Sequence, residues 1–403
     1  MRNGTMGSTD LLNGSEWLDP LEQQVRGGVR QFLQELIEQE VTEALGRLRH
    51  GRAEGAQGYR HGHRPRTVIG SFGRVQLSVP RARVRGEDGR SHEFHSALLP
   101  RYKRLTGSAN ALIAGAYLAG VNTRRVRLAL GKLFGGAVSK DTVSRAWRRV
   151  QGDFESWNHR PLEGEPIVRL ILDGTVVHVR LDGQSTALSI LVAMGVRADG
   201  QKALLGLRAL AGESEAAWRD LLQDLESRGL NRPELVVIDG GKGLEAALAA
   251  MWPSSAVQRC TVHKLRNLIA HAPKKLHEEL TAEYSAMIYA ETPAQVLARR
   301  QAFLRKWRLR CPGVARSLEE AGERLFTFLR YPPAQWRSIR TTNAIERLHE
   351  EFKRRIKTQC VLPCADTACM MFWALLASGQ ITLRKVDGWQ TLHVQPNTLD
   401  IAA

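Results

Sequence analysis

The hydrophobic period changes several times along the chain, and each change marks an element. Over residues 21–50, Val25, Val29, Phe32, Leu33 and Leu36 recur at helical spacing and predict one amphipathic helix. The stretch "GYRHGHRPRTVIGSFGRVQLSVPRARVRGEDGR" then turns to short β segments, broken by Gly and Pro, with arginines at alternate positions. Helical spacing returns from Gly107 to Val150. Ser108 is placed to cap a helix ended by Gly120, Thr123 a second ended near Gly135 and Gly136, and Ser139 a third, "SKDTVSRAWRRV". Short helices, a tight turn and a basic last helix predict a helix-turn-helix-like unit, although such trihelical units also serve as plain packing modules.

"NHRPLEGEP" reads as a linker, and beyond it the texture changes. "IVRLILDGTVVHVRL", "STALSILVAMGVR" and "QKALLGLRAL" are β-type runs joined at Asp182-Gly183 and Asp199-Gly200, which predicts three antiparallel strands in order. A helix with Trp218, Leu221, Leu222 and Leu225 on one face follows, and Gly229 stops it. Then come the short strand "PELVVIDG", the helix "KGLEAALAAMW" and the strand "AVQRCTVH". Strand–helix–strand connections favour parallel pairing, so βββ-α-β-α-β predicts a mixed sheet covered by helices, the order of an RNase H-like fold. From Lys264 to about Pro333 the pattern is helical throughout and reads as an inserted all-helical domain. "RTTNAIERLHEEFKRRIK" comes after it, a basic helix with Ile345, Leu348, Phe352 and Ile356 as its apolar stripe.

The expected fold class is therefore α/β: an RNase H-like mixed sheet with an all-α insertion, preceded by a basic N-terminal DNA-binding region that carries the helix-turn-helix-like unit. The boundaries expected are a disordered 1–20, a helical and small β region 21–106, the helix-turn-helix-like unit 107–157, the core 166–263, the insertion 264–335, the final core helices 336–390 and a tail 391–403.

Charge adds a partner to this outline. Lys and Arg number 58 against 41 Asp and Glu, and between Gly46 and Val150 the count is 22 against 5, so that window carries the whole excess of +17. Such a surface suits a polyanion, double-stranded DNA above all. Lys140, Arg145, Arg148 and Arg149 on the third helix, with Arg64 and Arg66 in the β region, are the expected contacts. Arg266, Lys353 and Arg354 are expected to hold the backbone nearer the chemistry. No run of about 18 apolar residues predicts a membrane span. The N-terminus lacks the apolar stretch of a secretory signal. Five sparse cysteines fit a reducing, cytoplasmic setting.

Three carboxylates carry the candidate chemistry. Asp173 in "LILDGTV" sits in or at the end of the first strand, and Asp239 in "LVVIDGG" at the end of the fourth. In this strand order those two strands are neighbours. Their carboxylates repel unless a cation lies between them, and Mg2+, a hard ion suited to carboxylate and phosphate oxygens, is the natural one. Read singly, Asp173 is also a possible hairpin-turn residue and Asp239 a possible helix N-cap. Glu346 stands out within its own helix. Glu350 and Glu351 have Arg354 and Arg355 four residues on, whereas the i+4 neighbour of Glu346 is Glu350, a like charge. With Asn343 as N-cap it fits the acidic position of a capping box. As a third carboxylate it completes a two-metal site for in-line phosphoryl transfer.

Cys260-x-x-His263 taken alone suggests zinc, but zinc needs two further ligands and no second such pair is near. His61, His63, His92 and His95 make a metal site only on paper, in a segment where Arg and Gly suit DNA better. "DGGKG" lacks the spacing of a phosphate-binding P-loop, so its glycines read as a sharp turn.

The blocks "YRHGHRPRTV", "SKDTVSRAW", "LILDGTVVHVR", "VVIDGGKGLEAAL", "VQRCTVHKLRNL" and "TTNAIERLHEEFKRR" together resemble the bacterial insertion-sequence transposases of the Mutator type, which are DDE enzymes. The resemblance runs from about Tyr59 to Leu392. It implies that Asp173, Asp239 and Glu346 are the catalytic triad, binding two Mg2+ ions for which Mn2+ can substitute. It also implies that His263 approaches the scissile phosphate or positions DNA, that the helical insertion precedes the Glu, and that the pathway is a copy type with circular intermediates. One departure is Asp173-Gly174, where the family often has Asp-Ala. The expected activity is cleavage and strand transfer on element ends and target DNA, by a homodimer or larger assembly associated with the nucleoid. The alternatives are an RNase H-like nuclease that cuts without joining and an inactive DNA-binding relative.

Overall fold

The computed structural model describes residues 20–51, 55–86, 88–118, 130, 140–181, 184–356, 362, 364–379 and 381–397. The chain forms two compact units divided between Arg148 and Arg149.

In the first unit, helix α1 (Pro20–Leu45) covers an antiparallel sheet of order β1-β2-β3 (Gly58–Gly70, Gly73–Arg85 and Ser91–Glu93). Alternation along β2 puts Val75, Leu77 and Val79 on one face, packed with Ile37. Val41, Leu45 and Ala82 close a second cluster beside it. This corrects the face expected of α1 in part, since Leu33 of that face does pack against the first cluster. Val25 and Phe32 are 52% and 58% exposed, and burial falls instead on Ile37, Val41 and Leu45. Those three, spaced four apart, form a straighter line along the helix, and the apolar face of β2 meets that line.

Helix α2 spans Gly107–Leu118 and α3 spans Lys140–Asn158. The middle helix of the expected helix-turn-helix-like unit lies outside the described residues. α3 runs past Val150, where its sequence block stops, because Phe154 and Trp157 continue its apolar side and stack at 5.9 Å, each also packing on Trp373.

The second unit is built on a five-stranded mixed sheet of order β6-β5-β4-β7-β8. The strands are β4 (Ile167–Leu181), β5 (Gln184–Arg197), β6 (Lys202–Leu210), β7 (Leu235–Ile238) and β8 (Ala256–Arg259). β4, β5 and β6 pair antiparallel, while β4, β7 and β8 pair parallel. Helices α4 (Glu215–Ser227) and α5 (Lys242–Met251) supply the crossovers that parallel pairing needs. The turn into β6 is the expected one: Gly200 takes a φ of +85°, and Asp199 accepts a hydrogen bond from the Gln201 amide at 2.9 Å. Asp182 and Gly183 lie outside the described residues. Leu170 and Leu172 of β4, Trp218, Leu221 and Leu225 of α4, and Val236, Ile238 and Trp252 form one buried core.

The other face of β4 meets the last helices. Between the sheet and those helices the chain is helical, with α6 (Thr261–Ala270), α7 (His277–Ile288), α8 (Pro293–Arg310) and α9 (Pro312–Ala321). Then come α10 (Pro333–Ile339), α11 (Asn343–Ile356) and α12 (Ala365–Ala377). Proline opens α8, α9 and α10, where its missing N–H costs nothing. Phe303, Trp307 and Tyr284 pack ring on ring in this helical region.

Candidate active site

Register places the first two acids side by side. Leu172 of β4 pairs with Ile238 of β7, so Asp173 and Asp239 follow at neighbouring positions on adjacent parallel strands. Asp173 lies inside β4, opposite Val192 of β5 and 5% exposed, so it is no hairpin-turn residue. Its Oδ1 accepts from the Gly174 amide at 3.0 Å. Burial first, and then the charge of Asp239, push its carboxyl up to about 7, against the pull of His263. Asp239 is not the N-cap of α5 either. Gly241 holds that position, and Asp239 accepts its amide hydrogen at 2.8 Å, which ties the carboxylate down just past the strand.

Glu346 arrives on α11. Its helix starts at Asn343, and the carbonyl that receives the amides of Ile345 and Glu346, at 2.8 and 3.1 Å, belongs to Thr342. Glu346 is therefore one residue beyond the capping-box position. Its carboxylate turns away from the helix end to His263 Nε2 and an Arg266 guanidinium nitrogen, each 3.3 Å from Oε1. Ile345, Leu348 and Phe352 are buried and fix this orientation. Farther along, Arg354 pairs with Glu351 at 2.7 Å, three residues back, rather than with Glu350 as the i+4 spacing suggested.

His263 and Cys260 come from the start of α6. Cys260, with help from Asp173 and Glu346, holds His263 up at about 9 despite burial, which favours the cationic ring. Burial pushes the Cys260 thiol up, but His263 and the Thr342 amide outweigh it and bring it down. Among the described residues no three His, Cys, Asp or Glu side chains stand in an arrangement that holds a metal ion. His63 pairs with Glu38 and His92 with Asp88.

Two further side chains at the site were not singled out from the sequence. His349, one turn after Glu346, lies with Nδ1 3.6 Å from Asp173 Oδ2. Burial, then Lys353 and His263, push its ring down to about 3, so this contact is a neutral imidazole against a carboxyl, not an ion pair. Glu213, in the loop before α4, is pushed up by burial and by Asp239, and Ser189 hydrogen-bonds to it. A Cβ at Gly174 would come within 2.3 Å of Glu213 Oε1, so the Asp173-Gly174 pair leaves room for this fourth carboxylate. The i+3 relation of His349 to Glu346 was visible in the sequence. Glu213 was not, because only the packing of the β6–α4 loop brings it here.

The basic residues separate by environment. Arg145, Arg148 and Arg149 are exposed on α3, and Lys353 and Arg354 on α11. Arg266 is 61% exposed beside Glu346, and Arg64 is half-buried. Arg66 is committed elsewhere: its guanidinium donates to the carbonyls of Leu99, Pro100 and Lys103.

Aspartates at neighbouring positions, one inside β4 and one just past the end of β7, with a glutamate brought in by a later helix, define a carboxylate-centred site on a mixed α/β core. A family described as "Transposase, Mutator family" matches residues 6–382, and the chain belongs to that family. It is 34% identical over 351 residues to the transposase for insertion sequence element ISRM5 of Rhizobium meliloti (strain 1021), covering 87% of this chain and 86% of that one. It is 30% identical over 360 residues to the transposase for IS905 of Lactococcus lactis subsp. lactis (strain IL1403), covering 89% and 90%. It is 31% identical over 372 residues to that for IS406 of Burkholderia multivorans (strain ATCC 17616 / 249), covering 92% of each. The catalytic core of HTLV-2 integrase in complex with magnesium (trimeric form) matches 45% of this chain and 97% of its own at 14% identity. Its TM-score of 0.15 is too low to bear on the fold.

Proposed function

We propose that this insertion-sequence transposase is a DDE enzyme with an RNase H-like core, which cleaves element ends and transfers the strands to target DNA. One observation carries the reading: Asp173 and Asp239 stand at neighbouring positions on adjacent parallel strands, and Glu346 reaches the same side of the sheet after the long helical excursion.

The donor set fits divalent metal. All three acids offer hard oxygens, and Asp173, lifted to about 7 by burial first and then by the charge of Asp239, is a carboxyl whose ionised form a cation would favour. Asp173, Asp239 and Glu346 would hold two Mg2+ ions, with Mn2+ as a substitute. When bound, such ions make water or a 3′-hydroxyl a stronger nucleophile and neutralise charge on the scissile phosphate. The chain's own residues do the rest. His263 and Arg266 neutralise Glu346, and with that carboxylate on a metal they would be two cations available to the phosphate. His349 Nδ1 lies 3.6 Å from Asp173 Oδ2 and packs beside that carboxyl. Lys353 and Arg354 extend the positive surface along α11, and Arg64, Lys140, Arg145, Arg148 and Arg149 supply contacts to the terminal repeats.

Two ends must be paired, so the active complex is at least a homodimer on double-stranded DNA. No described helix is long and apolar enough to cross a membrane, and the cytoplasmic nucleoid is the proposed place of action.

The test is nicking and strand transfer with Mg2+ on DNA carrying the element's terminus, for wild type and Glu346→Gln. Loss of both reactions, with DNA binding and thermal stability near wild type, supports the reading. Surviving chemistry in the variant removes Glu346 from the triad. Nicking without joining in the wild type makes the chain a nuclease instead.

A further inference from the structure

The "DGGKG" loop has a second side. Asp239 is on one flank, and immediately past it Gly240 and Lys242 line a cavity of about 260 Å³ at the seam of α5, α6 and α9. Arg259, Lys264, His271 and Glu320 complete the part that matters here. Arg259 and Lys264 are only 4% and 3% exposed. Buried cations need an anion, and both find the same one. Glu320 Oε1 lies 2.9 Å from an Arg259 guanidinium nitrogen, and Oε2 lies 2.9 Å from Lys264 Nζ.

Glu320 itself is 52% exposed, so its carboxylate sits at the cavity mouth, bridging two cations from the solvent side. A phosphate oxygen pair presents the same charge and bite. The cavity holds more positive charge than Glu320 cancels. The excess is Lys242, which makes no ion pair among the described residues, whereas Arg259 is also paired with Glu245, 3.2 Å from its Nε. Gly241 caps α5, and its amide donates to Asp239, which puts the start of that helix between the catalytic side and the cavity. Gly240, at φ +93°, lets the Arg259 guanidinium lie against the loop, since a Cβ there would come within 2.5 Å of Arg259 Nε.

We propose that this cavity is a phosphate subsite that takes a backbone phosphodiester of the DNA flanking the reacting one, with Glu320 as its occupant when DNA is absent. The proposal rests on DNA being the substrate. The phosphate displaces the Glu320 carboxylate from Arg259 and Lys264 and gains Lys242. Its place one residue beyond Asp239 ties the strand to the catalytic side of the sheet.

The test uses the full chain without divalent metal, as wild type, Glu320→Gln and Lys242→Gln. Thermal midpoints are read in inorganic phosphate and in chloride at matched ionic strength. Duplex affinity is read by anisotropy across a salt series. Glu320→Gln should melt below wild type in chloride and recover by several degrees in phosphate, a gain several times that of wild type. Its log affinity against log salt should steepen by about one ion, and that of Lys242→Gln should flatten by about one. Phosphate acting no better than chloride overturns the subsite. Phosphate rescue with both salt slopes unchanged overturns its assignment to the DNA backbone. If the wild type binds no duplex at any salt while phosphate still rescues Glu320→Gln, the anion site stands and the DNA reading is what fails. If Glu320→Gln does not fold, the exposed Lys242→Gln decides alone: an unchanged slope overturns the proposal.

Discussion

Removing the charge of Asp173 should make the protein more stable and inactive at once. Burial and Asp239 move this carboxyl from 3.8 to about 7. Keeping it ionised in the folded chain therefore costs up to ~4 kcal/mol, at about 1.4 kcal/mol for each tenfold change in proton affinity. Water and polar neighbours at the site bring the expected figure to about 2–4 kcal/mol. The sign follows from linkage. Below pH 3.8 the group is protonated folded or unfolded, and nothing is lost. Between there and about 7 the folded chain holds the extra proton, so stability falls as pH rises, and above 7 the loss is complete. Asp173→Asn keeps the shape and the acceptor for the Gly174 amide but has no charge to lose. Urea unfolding in EDTA, followed by fluorescence of the buried Trp218 and Trp252 against this sheet, should show the variant ahead by about 2–4 kcal/mol at pH 8. The curves should meet near pH 4. Saturating Mg2+ should stabilise the wild type and leave the variant nearly unmoved. A variant no stabler than wild type at pH 8, or a gap that does not change with pH, would refute the account of the site.

Two other outcomes follow from single contacts. Arg66→Ala should cost the first unit ~2–3 kcal/mol in denaturant unfolding, because three carbonyls of the 99–103 loop lose a charged donor, while the salt slope for DNA stays at the wild-type value. His263 is held up at about 9, so the stabilisation from its positive charge is complete below about 6.5 and is lost as pH rises through 9. His263→Gln should flatten that alkaline limb in thermal melts taken without metal, and an unchanged limb would mean another group titrates there.

Much of the core was legible because its signals are local. Alternation along β4 to β6, the turn at Asp199-Gly200 and the crossover helices sufficed to place β4 beside β7, and with them Asp173 beside Asp239. The face of α1 was misread for a physical reason. A 26-residue helix offers more than one apolar line, and only the sheet it meets selects Ile37, Val41 and Leu45 over Val25 and Phe32. Charge pairing along α11 was misjudged in the same way, since i+3 and i+4 partners compete and rotamers decide.

The sequence by itself determined the order of the sheet's elements, the basic N-terminal third and, through its motif blocks, the family, and it singled out three acids as candidates, because strand period and short motifs are written in neighbouring residues. Only the tertiary structure decided what surrounds those acids. It turned Glu346 from a capping position to His263 and Arg266, set a neutral His349 on Asp173, and brought Glu213 from a loop 40 residues downstream of Asp173. It also gathered Arg259, Lys264 and Glu320 behind the Asp239 loop. Contacts between residues tens of positions apart depend on how sheet and helices pack. No local pattern encodes them, because burial and charge are properties of the assembled site.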